Sequence, residues 1–597
     1  MKTRTQVYCL IACVVVIFFS AVMAHYIERD FGKVDVQFVR IVDQSGYTIA
    51  AKLFRPVAAT PKNPMPGILN MHGYQNDKDV QDGFSIELAR RGFVVLATDG
   101  LGHGDSGGLF NFGAFFGDPT YTMGTETGYL YLKGLPFVDA TNLGVTGHSM
   151  GGIDSFKIAN LHPEIKAVVS QDGGFGTPAN YDVLDLYPTW ADMSGSLANL
   201  QPVDPTAFGL TAPVQWDTTY GNFADGTARR AALVTSYHHL LTLQSKSISE
   251  AVNWFDNALK GGVKDALWID PTNQIYMWKE IFGLIALLVT ILSLIPLSNL
   301  LLTAPFFKPV AQPMPSRHIP STRSWWLFAT INALIGGLLY LFVTTPNYGS
   351  TILGAIPFMR LQNMGNGLAI WFLSNAIVFA VLFFIWYRTT AKKAGITMYD
   401  MGVSFDQEKT KFDWATLGKT LLFGVILFAW MYILEGISKL ALGEEFRFSW
   451  PFMRQFSDFQ RFGYFLIYLI PALAFFLLNG GMFLFGQARQ KEYSSPAKTQ
   501  WIWWLKNLFA GLFGLFLVWA IQYLPWILFH TGPGFSQTTN AGWAIWPLML
   551  WVYIPEFAVL LFMLTWFYRR TGRVYLGALM SASLAMWFLA AGTVIGV

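Results

Sequence analysis

"GVTGHSMGG" occupies residues 144–152. It sets one serine, Ser149, among glycines at the end of a short apolar run. Two readings compete: a nucleophile on a sharp turn, or a small residue that merely fits the turn. A lone G-x-S-x-G arises often by chance. Extended to "LGVTGHSMGGIDSFKIANL" (143–161), the stretch reads as strand, turn and helix, which is the setting of a nucleophile elbow. Without a Cβ at Gly147 and Gly151, backbone can close in on both sides of the turn. The serine hydroxyl is then lifted above the sheet. The N–H of Met150 lies at a helix N-terminus, where developing negative charge is favoured.

The flanking sequence supplies the sheet. "KVDVQFVRIV" and "YTIAAKLFRP" alternate as a hairpin around Asp43–Gly46. "PGILNMHGY" is an apolar strand ending at His72-Gly73, and residues 79–91 suit a helix. "GFVVLATDGLGHGDSGG" is a buried strand running into a glycine-rich loop, and "IKAVVSQDGG" is a further buried strand. Continuous apolar strands alternating with helices predict a mostly parallel sheet covered on both faces.

"HGY" (72–74), "DGLGHGDSGG" (99–108) and "GHSMGG" (147–152) together resemble the α/β-hydrolase superfamily over roughly residues 36–260. The resemblance implies an α/β-hydrolase fold with an eight-stranded, mostly parallel sheet. It also implies a Ser–acid–His triad in that chain order, and the N–H of Tyr74 as a second oxyanion donor beside Met150. The family's histidine follows the last strand, and "ARRAALVTSYHHLL" (228–241) offers His238 and His239. His239 is preferred, because the aliphatic Leu240 follows it; His238 is the alternative. The family's acid follows the seventh strand. "NYDVLDLYPTWAD" (180–192) makes Asp192 the candidate, with Asp225 of "GNFADGTARR" as competitor. Asp225 precedes the eighth strand, and a strand of about seven residues spans roughly 20 Å, so it lies at the wrong edge of the sheet. His72 and His103 are read as turn residues, and His148 as a packing or orienting residue.

Composition explains what surrounds this region. The 597 residues are 53% hydrophobic, 16% aromatic and 13% charged, with a net charge of +4. A soluble domain carries roughly 25% charged residues. No basic stripe interleaved with aromatics argues for nucleic acid. Residues 1–27 hold a basic start and "VYCLIACVVVIFFSAVMAHYI", read as a membrane anchor, with a cleaved signal peptide as the alternative. Residues 28–275 form the hydrolase domain. Residues 276–597 carry about eight apolar segments long enough to span a bilayer, predicting an all-α membrane bundle. Cys9 and Cys13, the only cysteines, lie in the anchor and give no disulfide framework to the soluble region.

Lys and Arg in the short loops orient the chain. Lys2 and Arg4 hold the N-terminus inside, which places the hydrolase domain on the extracytoplasmic side of the cell membrane. Lys308, Arg317 and Arg323, then Arg388, Lys392 and Lys393, then Arg489, Lys491 and Lys498, then Arg569, Arg570 and Arg573 mark inner loops. The segment 438–461 breaks the alternation, with Lys439, Arg447, Arg454 and Arg461 in a predicted outer loop.

The function expected is a multi-pass, membrane-bound serine esterase acting on a small acyl or lipid-like ester, with the bilayer as partner. It needs no cofactor, and no His/Cys/Asp set has zinc spacing. Phe110, Phe112, Phe115 and Phe116 of the 107–124 insertion suggest either an apolar lid or a core-packing loop. An acyltransferase with a membrane acceptor, or a transporter or sensor with a hydrolase-like receptor domain, are the alternatives. Glu556, next to Pro555 inside a spanning segment, is the candidate residue of the membrane region.

Overall fold

The predicted strands form one sheet in the computed structural model, which describes residues 3–174, 180–191, 195–196, 205–314, 322–344, 363–406, 413–478, 492–529 and 541–596. Its strands are β1 (Val34–Val42), β2 (Thr48–Pro56), β3 (Met65–Met71), β4 (Val94–Thr98), β5 (Val138–His148), β6 (Ile165–Gln171), β7 (Asp182–Ala191), β8 (Gly195–Ser196), β9 (Thr219–Tyr220) and β10 (Arg229–Tyr237). The order across the sheet is β1-β2-β4-β3-β5-β6-β7-β10-β9, with β8 paired to β7. β4, β3, β5, β6, β7 and β10 run parallel, while β1 and β2 are antiparallel to their neighbours. This is the α/β-hydrolase fold, carrying two short strands, β8 and β9, beyond the eight expected.

Helices cover both faces because the central strands β3, β4 and β6, and the carboxyl half of β5, are buried on both. α2 (Asp82–Ala89) and α6 (Ser245–Lys260) bury Phe84, Leu88, Ile248, Val252 and Phe255 on one face. α4 (Thr125–Lys133) and α5 (Met150–Leu161) bury Tyr129, Leu132, Phe156 and Ile158 on the other. The short α3 (Phe112–Gly117) lies in the phenylalanine-rich insertion.

β7 is the polar exception. Its Asp182 accepts the Ala228 N–H at 3.0 Å. Burial pushes the fully buried Asp185 up to about 8. A folded-state pKa above the unfolded value means that stability falls as pH rises from about 4 to about 8. Asp185→Asn is therefore expected to stabilise the protein by about 2–4 kcal/mol at pH 7 and by almost nothing at pH 4. Thermal unfolding of both proteins across that range checks it; a gain independent of pH would exclude ionisation as the cause.

α1 (Thr3–Glu28) runs antiparallel beside α7 (Tyr276–Leu301). Asn299 donates to Gln6 at 3.2 Å near one end, and Phe19 packs on Phe282 near the other. The remaining long helices are α8 (Thr322–Thr344), α9 (Asn363–Trp386), α10 (Trp414–Leu442), α11 (Phe459–Phe475), α12 (Pro496–Phe529), α13 (Ala541–Thr571) and α14 (Tyr575–Gly592). Among the described residues, nine helices are long and apolar enough to cross a membrane. They coincide with the N-terminal segment and the eight later apolar segments.

One boundary differs from the sequence reading. α14 stops at Gly592, and residues 593–596 leave the bundle for the hydrolase domain. The Phe110 N–H donates to the Ile595 carbonyl at 3.0 Å, and the Ile595 N–H to the Gly102 carbonyl at 2.9 Å. The Val594 N–H donates to Gln75 Oε1 at 3.0 Å.

The carboxyl ends of β3 and β4 face the membrane bundle and the hairpin β11 (Phe446–Phe448) and β12 (Trp450–Met453) across buried ion pairs. Arg454 holds Asp77 and Asp105, each at 2.7 Å. Arg447 holds Asp82 at 3.0 Å and Glu280 at 2.7 Å. Lys78 reaches Asp99 at 2.8 Å and Asp105 at 2.9 Å. Lys52 reaches Glu28 at 2.7 Å and also pairs with Asp79. Arg461 donates to the Gly102 carbonyl at 3.1 Å. The basic residues of 438–461 that broke the charge alternation are thus spent on the hydrolase domain.

Candidate active site

β5 runs straight into α5, and the turn between them must fold back within one residue. Ser149 takes up that turn with φ +54° and ψ −115°, a region that costs a non-glycine residue roughly 1–3 kcal/mol. The turn is pinned by the Ser149 N–H, which donates to the Gln171 carbonyl at 2.8 Å. A Cβ on Gly151 would fall 2.6 Å from the His72 carbonyl, and one on Gly147 would meet the Gly151 carbonyl. Both positions therefore require glycine.

The loop after β3 lies against the same serine: a Cβ on Gly73 would sit 3.2 Å from Ser149 Cβ. His72 fixes this loop. Its Nδ1 donates to the Gly73 carbonyl at 2.7 Å, and its Nε2 accepts the Gly100 N–H at 2.9 Å. Both ring nitrogens are thereby used, as expected of a turn residue. His103 likewise contacts the Leu101 carbonyl at 3.0 Å. Tyr74 packs on an apolar cluster of Phe110, Phe115, Met123, Met150 and Val594. The structure thus brings Ser149, Met150 and the Gly73-Tyr74 segment together. Of the four phenylalanines, Phe110 and Phe115 are 1% exposed, whereas Phe112 and Phe116 are 44% and 60% exposed. Half of the insertion packs, and half faces outward.

The histidine that bonds a carboxylate here is His238, not the sequence-preferred His239. β10 ends at Tyr237 and a tight turn, His238–Leu243, follows. The Nδ1 of His238 hydrogen-bonds the carboxylate of Asp172. Asp172 stands one residue past β6, with φ +56° and its N–H on the Leu186 carbonyl at 2.9 Å. Burial holds the pKa of Asp172 above the usual carboxylate range, against the opposing pull of His238. His148 Nε2 donates to the His238 carbonyl at 2.9 Å, and the two rings lie 4.6 Å apart. The residue preceding Ser149 thus ties the His238 turn to the elbow.

The other candidates stand apart. His239 turns away from Asp172, and its ring lies 5.2 Å from Trp551 of α13. Its Nδ1 is buried with no hydrogen-bond partner. Burial and then His238 push His239 down to about 3. Asp225 is exposed, at the amino end of β10, where it accepts from the Thr227 N–H at 3.1 Å. Asp192 lies outside the described residues. The sequence signal for Asp172 is "SQDGG" (170–174), which sets it before Gly173-Gly174 at the carboxyl end of the strand beside β5. Gly173 can approach Gly152 so closely that a Cβ on Gly152 would lie 2.8 Å from its Cα.

Glu556 lines an apolar cavity of about 360 Å³ together with His239, Ser449 and Trp551. Elsewhere, Asp77, Asp79 and Glu445 gather in a buried group that offers metal-ligand atoms. Each already faces a cation: Asp77 meets Arg454, Asp79 meets Lys52, and Glu445 meets Lys439.

Residues 45–272 match the family described as X-Pro dipeptidyl-peptidase (S15 family). Among solved structures, a hypothetical protein from Pseudomonas aeruginosa is similar at 16% identity and a TM-score of 0.29, covering 38% of this chain and 94% of that one. An esterase from Pyrococcus furiosus is similar at 13% identity and a TM-score of 0.29, covering 38% and 95%. A dienelactone hydrolase-like promiscuous phosphotriesterase from metagenomic libraries is similar at 16% and 0.29, covering 38% and 99%. No curated protein matches the chain.

Proposed function

We propose that this hydrolase domain is a serine esterase, held on the extracytoplasmic face of the membrane, that cleaves acyl or lipid-like esters. The observation that carries the reading is the Asp172–His238 pair, tied through His148 to a strained serine at the elbow. Asp172 accepts from Nδ1–H of His238 and fixes the tautomer. Nε2 is then the nitrogen that takes the Ser149 proton as Oγ attacks the ester carbonyl. The N–H groups of Tyr74 and Met150 receive the oxyanion. The imidazolium returns its proton to the leaving alcohol, and water attacks the acyl-serine by the same route, releasing the acid and restoring Ser149.

A second reading follows from the family match: the bond cleaved is the amide after an Xaa-Pro dipeptide. The test uses the full-length protein in lipid nanodiscs, a fluorophosphonate probe, p-nitrophenyl esters and Xaa-Pro anilides. Labelling is expected on Ser149 and absent in Ser149→Ala, with turnover of esters exceeding that of anilides. Anilide turnover without ester turnover would establish the peptidase. A wild-type protein that takes no label would defeat both.

A further inference from the structure

We propose that the seam between α7 and α13 is a slot for one hydrocarbon chain of an ester amphiphile in the bilayer, with its polar end at His239. Its role in substrate binding rests on the esterase reading; chain binding itself does not.

Two cavities make the slot. The upper, of about 360 Å³, begins at His239 and Leu240 of the hydrolase domain and runs down between the helices. The lower, of about 510 Å³, continues it. Leu288 and Ile291 of α7 and Pro555 and Val559 of α13 line both. From Leu284 at the upper end to Ile295 at the lower, the helical rise gives roughly 16 Å of continuous apolar wall. That suits an extended acyl chain better than a compact ligand.

The polarity of the lining is graded. His239, Ser449 and Glu556 are all in the upper cavity. The lower one is walled by aliphatic, aromatic and proline side chains. Of its tryptophans, Trp504 has its N–H turned onto the Ala558 carbonyl at 2.8 Å. A water chain needs two to four polar partners per molecule, and the lower walls offer little beyond tryptophan N–H groups. Hydrocarbon is the occupant they favour. A chain lying there brings its head group up to His239, whose buried Nδ1 has no partner. The adjacent residue is the His238 that bonds Asp172. The slot thus delivers the ester from the membrane side, where the carboxyl ends of the strands already face the bundle.

The binding test uses the full-length Ser149→Ala protein in nanodiscs with a diazirine-bearing palmitic acid. Crosslinks are expected on peptides containing Leu284–Ile295 and Trp551–Val559, and Val559→Trp is expected to remove them. Crosslinks spread evenly over the other helices, unchanged by Val559→Trp, would overturn the slot. The catalytic test compares p-nitrophenyl palmitate and acetate. Val559→Trp and Leu288→Trp, each still labelled by fluorophosphonate, are expected to lower kcat/KM on palmitate by about tenfold or more. Acetate is expected to stay within about twofold. Equal loss on both esters would overturn the slot as the substrate's site. Seam crosslinks in a wild-type protein without ester turnover would uphold the slot and defeat the esterase reading instead.

Discussion

Asp172→Asn is expected to lower ester turnover by about 10⁴-fold, the loss that the corresponding change causes in the Ser–His–Asp proteases. The change is isosteric, but its amide donates where the carboxylate accepted. His238 must then present a lone pair at Nδ1 and carry its proton on Nε2, the nitrogen required as base. His238→Gln removes the base itself and is expected to fall at least as far. His239→Gln keeps the triad and touches only the head of the apolar cavity, so turnover of p-nitrophenyl acetate is expected to stay within about tenfold. Asp225→Asn is expected to be nearly normal, since that side chain only holds Thr227 in an exposed turn. Steady-state kinetics on folded full-length variants decide the matter. An Asp172→Asn protein within about tenfold of wild type would return the role of acid to Asp192.

Arg454→Met is expected to cost about 3–5 kcal/mol, the usual penalty for breaking a buried ion pair from one side. Arg454 is 1% exposed and serves two carboxylates at once. Burial and the neighbouring Asp79 already push Asp77 up to about 7, against the pull of Arg454. Without that pull, Asp77 binds its proton more tightly in the folded protein. The folded state then holds more protons than the unfolded chain above about pH 4, so stability is lost as pH rises. The deficit is therefore expected to be larger at pH 8 than at pH 6. Loss of fluorophosphonate labelling against temperature, at both pH values, measures it. A deficit below about 1 kcal/mol at pH 8 would mean that Arg454 behaves as an exposed pair does.

The elbow was legible because three kinds of information coincide at residues 143–161: an apolar run, small residues at both flanks of Ser149, and a helical pattern after it. The mostly parallel sheet followed from the alternation of apolar strands with helices. The proposed acid, Asp172, was not legible from spacing. Family placement points past β7, whereas Asp172 leaves from β6, and only the two glycines after it hint at the turn it makes. The two adjacent histidines could not be separated by sequence, because the tight turn at His238–Leu243 sends neighbouring side chains to different domains. Hydropathy also misread both ends of one contact. Residues 593–596 are as apolar as the helix they follow, and Arg454 and Arg461 look like loop charges; the groups each of them holds in the hydrolase domain lie more than 300 residues away in sequence.

The strand-like pairing of Phe110 with residues 595–596 ties completion of the 107–124 insertion to the synthesis of α14 and the residues after it. Ribosomes add about 5–20 residues per second, so the roughly 480 residues between the partners take about 25–100 s to make. Throughout that interval the hydrolase sheet can fold, while Gly102, Gln75 and Phe110 still lack the backbone that seats them. The insertion over the elbow is completed only when α14 is in place. A nascent chain would thus carry an unfinished insertion beside the elbow until α14 has been made.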